Sequence, residues 1–135
     1  CYGAAMPAIT AVVAAALAVV LIVLSARVIL HRRSKLIGIG DGGDKELARK
    51  VRAHANFIEY VPLALLMLGF AELGGAHWLL VAGIGAWLVV ARIAHATGLS
   101  RKPGHSNGRF FGTASTMTLL LVLAIVDVIV AIPRL

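Results

Sequence analysis

The segment RKVRAHANFIEYVP, residues 49–62, carries a guanidinium, an amide and a carboxylate at Arg52, Asn56 and Glu59. At 3.6 residues per turn these positions are i, i+4 and i+7, so the three groups form one stripe on a helix whose other faces are apolar. A second set follows at Arg92 and His95, three residues apart and on one helical face. Arg27 lies inside the first apolar stretch and Arg109 opens the last one. Such groups can pair with one another or hold a small polyanion bearing carboxylates, which a guanidinium grips through parallel N–H donors. A guanidinium beside a thiol also favours the reactive thiolate.

Glu59 with Arg92 and Asn56 with His95 are the expected pairs, which leaves cations in excess. Two readings follow. The groups are interhelical contacts at ~0.6 kcal/mol each, or they line a pocket for an anionic, thiol-bearing ligand. Arg27 is either a snorkelling interfacial arginine or an inward-facing cation of that pocket. His54 falls on another face, and His31, His77 and His105 lie in or beside loops, so no metal site is expected. Asp127 is expected at a helix end or subunit contact. The chain has no nucleophile elbow, and GIGDGGD lacks the Gly-Lys-Ser/Thr ending of a phosphate-binding loop. No aromatic-interleaved basic surface suggests nucleic acid.

The elements holding these groups are membrane spans. With 60% hydrophobic residues and a mean hydropathy of +0.93 in 135 residues, the chain exceeds the roughly 45–50% apolar content of soluble domains. Spans of ~20 apolar residues cross ~30 Å of hydrocarbon, and the pattern predicts four, at about 7–31, 45–73, 77–98 and 107–132. The fold class expected is all-α, an integral membrane four-helix bundle forming a single domain over 6–135. The uncharged core of the second span, residues 60–71, is too short to cross alone. That helix must therefore carry Glu59, Asn56 and Arg52 into the membrane zone, facing the bundle interior. Asp44 is its expected N-cap, and Pro62 is expected to disturb it one turn beyond Glu59.

Twelve of thirteen Lys and Arg border the first and third connections. Loops 32–44 and 99–107 are therefore expected to be cytoplasmic and both termini outside. CYGAA before Met6 reads as a tag remnant ahead of a natural start, the alternative being a lipoprotein with an acylated Cys1. A lone cysteine allows no intramolecular disulfide.

GDGGDKELARKVRAHANFIEYVPLALL resembles the second-helix signature of the MAPEG family, the membrane-associated proteins of eicosanoid and glutathione metabolism, and especially its bacterial members. ARIAHATG in the third span and the segment around Arg109 match as well, so the resemblance covers the chain from Met6. It implies a homotrimer in a bacterial inner membrane, with glutathione as co-substrate bound between subunits near the cytoplasmic face. The implied activity is a glutathione-dependent transferase or peroxidase acting on lipophilic electrophiles from the bilayer. Carried over by position, Arg109 is the catalytic residue beside the thiol, and Arg27, Arg52, Asn56, Glu59, Arg92, His95 and Thr113 bind the tripeptide. Ala55, Leu99 and Thr113 stand where the prostaglandin synthase has an arginine and two tyrosines, which counts against the eicosanoid-forming activities. The rival expectation is a non-catalytic membrane subunit or lipid-binding module in which the buried charges only hold the oligomer together.

Overall fold

The computed structural model describes residues 6–101 and 107–135, with side chains described outside 98–111. Cys1 and the rest of the first five residues lie outside the described residues, as does the third connection. Four helices follow in order, α1 Ala8–Lys35, α2 Lys45–Leu73, α3 Trp78–Arg101 and α4 Asn107–Ala131, and a 3-10 turn, Ile132–Arg134, closes the chain. There is no strand among the described residues.

Each helix is long and apolar enough to cross a membrane. Val12, Ile22, Phe70, Trp87 and Leu121 are exposed on the outside, while Leu17, Leu68, Leu88 and Leu123 fill the inside. A helix apolar on every face has no reason to sit in water, and in hydrocarbon it satisfies all its backbone groups internally.

α1 runs one turn past the expected residue 31. Arg32, Arg33 and Lys35 occupy that turn, where cations oppose the partial negative charge of a helix C-terminus. The helix ends at Leu36 in the left-handed region (φ 57°), and the N–H of Ile37 reaches back to Arg32 O at 3.0 Å. α2 starts on Asp44, whose Oδ1 accepts from the backbone N–H of Glu46 at 2.8 Å and Leu47 at 3.0 Å. It continues unbroken through Pro62, which is exposed on its outer face.

α2 and α3 form the centre of the bundle. Each packs against all three other helices, whereas α1 and α4 do not touch among the described residues. The two helices that carry Asn56, Arg92 and His95 are therefore the two most covered by the rest of the bundle. α3 and α4 approach closely at Gly112, where an added Cβ would stand 2.5 Å from His95 Cβ and 2.9 Å from Ala91 O. Small residues at helix crossings allow this kind of backbone approach in membranes.

Candidate functional site

Arg92, 2% exposed, is among the most deeply buried large side chains of the described residues. It sits fourteen residues into α3, ~21 Å along the axis from Trp78. Its guanidinium donates to three neutral oxygens. Nη1 reaches Asn56 Oδ1 on α2 at 2.9 Å, and Nη2 reaches both Gly112 O at 2.9 Å and Thr116 Oγ1 at 2.6 Å on α4. Thr116 Oγ1 also donates to Gly112 O at 2.7 Å. Nε is buried without a partner among the described residues. One arginine thus ties three helices together. A charge at membrane depth costs ~2.5–3.5 kcal/mol on insertion scales, and hydrogen bonds to charged groups contribute ~1.5–3 kcal/mol each. Three of them suffice to hold the cation without a carboxylate.

This differs from the expected Arg92–Glu59 pairing. Glu59 lies on the outer side of α2 and meets Arg52 instead, Nη1 to Oε1 at 3.3 Å, the side chains 63% and 43% exposed. At 100° per residue Arg52, Asn56 and Glu59 span about 60°, and the edge of the core passes between them. Asn56 falls inside with Ala53 and Phe57, and the two charges fall outside.

The expected Asn56–His95 contact is also replaced. Arg92 occupies Asn56 Oδ1, and His95 Nδ1 lies 3.3 Å from Thr113 Oγ1 across the α3–α4 crossing. The structure therefore brings together Asn56, Arg92, His95 and Thr113, and separately Arg52 with Glu59. Arg27 is half-buried on α1 with no hydrogen bond or ion pair to another described residue. Arg109 is in the first turn of α4, and its side chain lies outside the described residues.

Further polar contacts join α1 to α2. His54 Nε2 lies 3.1 Å from Ser25 Oγ. At the loop end, His31 Nε2 is 3.0 Å from Asp44 Oδ2, and Lys50 Nζ is 2.7 Å from both His31 Nδ1 and Glu46 Oε1. The His31 hydrogen bond, joined by the backbone N–H of Leu47, holds the Asp44 carboxyl well below the usual carboxylate range. At the other end of the bundle Glu72, in the last turn of α2, accepts from Ile9 N at 2.9 Å, Thr10 N at 2.8 Å and Thr10 Oγ1 at 2.7 Å. It caps α1, whose own Pro7 supplies no side-chain cap. Glu72, at the end of the second expected span, carries no role legible in the sequence. The available signal was α1 itself, which begins with neither a capping residue nor an acid in its first turn.

No group of three His, Cys, Asp or Glu able to hold a metal occurs among the described residues. The arrangement offers instead an arginine-centred core, an outward ion pair on α2, and a surplus of guanidinium groups.

The MAPEG family matches this chain over residues 10–128. The chain is also similar to the inner membrane protein YecN of Escherichia coli K12, 32% identical over 94 residues that cover 70% of this chain and 72% of that protein. The same figures hold for YecN of Escherichia coli O6:H1. An all-helical bundle of four membrane-crossing helices, with the family match over most of its length, identifies the chain as an integral membrane protein that belongs to the MAPEG family.

Proposed function

We propose that the chain is a glutathione-dependent transferase or peroxidase of an inner membrane, active as a homotrimer on lipophilic electrophiles. The observation carrying this reading is the Arg52–Glu59 pair, which faces outward from α2 with both side chains exposed. Two charges facing hydrocarbon are unfavourable by several kcal/mol. A neighbouring subunit and a charged ligand between subunits would cover them. Glutathione suits the place chemically, since its carboxylates match guanidinium forks and its ammonium matches Glu59.

In this reading Arg52 and Glu59 hold the tripeptide ends, with Arg27 as a further cation from α1 and Thr113 and His95 at the α3–α4 crossing. Asn56 and Arg92 act by positioning: they fix α2 against α3 and α4. Arg109 stabilises the thiolate. In conjugation the thiolate sulfur forms a bond to an electrophilic carbon, the leaving group departs with the bonding pair, and the thiol proton goes to water. In peroxide reduction the sulfur attacks one peroxide oxygen and releases an alcohol, and a second glutathione converts the sulfenic acid to disulfide and water. The basic first and third connections would lie on the cytoplasmic side, where this thiol is abundant.

A second reading, a non-catalytic membrane subunit or lipid-binding module, is favoured by the Arg92 cluster, whose two Nη groups are held by neutral oxygens within one chain. Glutathione at millimolar concentration separates the two. The enzyme reading expects a rise in thermal midpoint and turnover of an aryl halide or a lipid hydroperoxide. A ligand at a hundred times its Kd stabilises by ~2.7 kcal/mol. Arg52→Ala and Glu59→Gln should abolish that rise while leaving the unliganded protein folded, because neither leaves a buried partner charge behind in the protomer. No shift in the wild type sinks the enzyme reading, and native mass of the same sample tests the trimer.

A further inference from the structure

At the opposite end of the bundle, ~27 Å along α2 from Arg52, the ends of α2 and α4 line an open pocket of about 420 Å³. That is within the range of small-ligand sites, ~300–1,000 Å³. Phe70 and Leu73 on α2 and Val130 on α4 supply apolar walls, and Gly74 forms part of the lining. Two charged residues, Asp127 and Arg134, also line it. They form no ion pair with each other or with any other described residue. Asp127 Oδ1 is shielded from solvent with no hydrogen-bond partner among the described residues. Arg134 folds over the α2–α3 turn, its Nη2 3.8 Å from where a Cβ on Gly75 would stand.

We infer that this pocket binds the headgroup of an aminophospholipid, with the primary ammonium donating to Asp127 and the phosphate accepting from Arg134. An acid and a base that line one pocket without touching leave room for a group of both signs between them. Asp127 lines the pocket as a carboxylate, which accepts N–H donors that a primary ammonium has and a quaternary ammonium lacks. A guanidinium is suited to phosphate. Phe70 and Leu73 are exposed beside the pocket, so acyl chains can leave along them while the head stays in it. This site is independent of the Arg52–Glu59 reading and stands or falls separately.

The test uses the full chain in mixed micelles, titrated with phosphatidylethanolamine, phosphatidylcholine and phosphatidylglycerol, with binding read by native mass and by thermal midpoint. Phosphatidylethanolamine should bind at least about tenfold more tightly than phosphatidylcholine, the gain from hydrogen bonds between an ammonium and a carboxylate. Asp127→Asn should bring the two to equal affinity. Arg134→Gln should weaken both and keep their ratio. Asp127→Asn preserves side-chain shape and removes an unpaired charge, so it should fold, and helicity checks that it does. Equal binding of phosphatidylethanolamine and phosphatidylcholine by the wild type overturns the proposal, and so does a preference that survives Asp127→Asn. Soluble phosphoethanolamine binding as well as the intact lipid overturns the lipid assignment in favour of a water-soluble zwitterion.

Discussion

Arg92 and Glu72 are ionisable groups held at the two ends of the same bundle, and neither is neutralised by an opposite charge. Arg92 gives its protons to an amide oxygen, a carbonyl and a hydroxyl. Glu72 takes two backbone N–H groups and a hydroxyl. Both therefore rest on neutral dipoles, and both join helices distant in sequence. They differ in what they hold. The arginine bonds chiefly to side chains and the backbone at a helix crossing, and is almost sealed. The glutamate completes a helix terminus and stays half-buried. In the membrane a charge is kept by whichever dipoles the fold leaves unsatisfied, and ion pairing is only one way to supply them.

Removing each group should show the difference in scale. Arg92→Ala empties a buried volume and strips Asn56 of its donor, so it should cost about 3–5 kcal/mol, seen as a large fall in thermal midpoint in detergent. Arg92→Met keeps much of the volume and should recover part of that loss. If Arg92→Met is as stable as the wild type, the three hydrogen bonds contribute nothing net and the contrast with Glu72 disappears.

Glu72→Ala should be milder, about 1–2 kcal/mol, the usual cost of losing an N-cap. The loss should be local. Hydrogen exchange should accelerate at the first amides of α1, including Ile9 and Thr10, and leave α3 and α4 unchanged. Faster exchange throughout the bundle would mean that Glu72 holds the whole tertiary structure and is more than a cap for one terminus.

The four spans were legible because apolar length is a local property. Asp44 was legible for the same reason, since its cap acts two and three residues away. The polar residues were legible as a set and misread as pairs. Period 3.6 places Arg52, Asn56 and Glu59 within one narrow sector but does not say where the core boundary crosses it, and that boundary sends Asn56 to Arg92 and Glu59 to Arg52. Thr116 and Gly112 were missed because their role is to offer oxygens, one of them a backbone carbonyl, at a crossing no spacing reveals. Glu72 was missed because its donors are backbone groups 62 and 63 residues away.

Gly112→Ala sharpens the comparison from the backbone side. The new methyl would meet His95 Cβ at 2.5 Å and Ala91 O at 2.9 Å, and neither is the flexible end of a side chain. α3 and α4 must separate, at about 1–3 kcal/mol, and the bonds from Arg92 to Gly112 O and Thr116 must lengthen. Arg92→Met combined with Gly112→Ala should then cost less than the sum of the two. Strict additivity would show that the glycine serves packing alone.

The smallest effect belongs to the loop end, where Asp44 caps α2 and meets His31. Its carboxyl titrates lower in the folded protein than its ordinary value of 3.8, so the unfolded chain takes up the proton first as pH falls. The stabilisation is therefore fully present well above pH 3.8, declines as the pH falls below it, and is gone once the folded carboxyl is itself protonated. Asn at this position keeps a good N-cap but cannot ionise. Asp44→Asn should therefore match the wild type's stability more closely the further the pH is lowered below about 4. Helicity and thermal midpoint followed over that range check it, and a wild-type advantage that persists unchanged into acid would mean that the Asp44 charge contributes nothing beyond the cap.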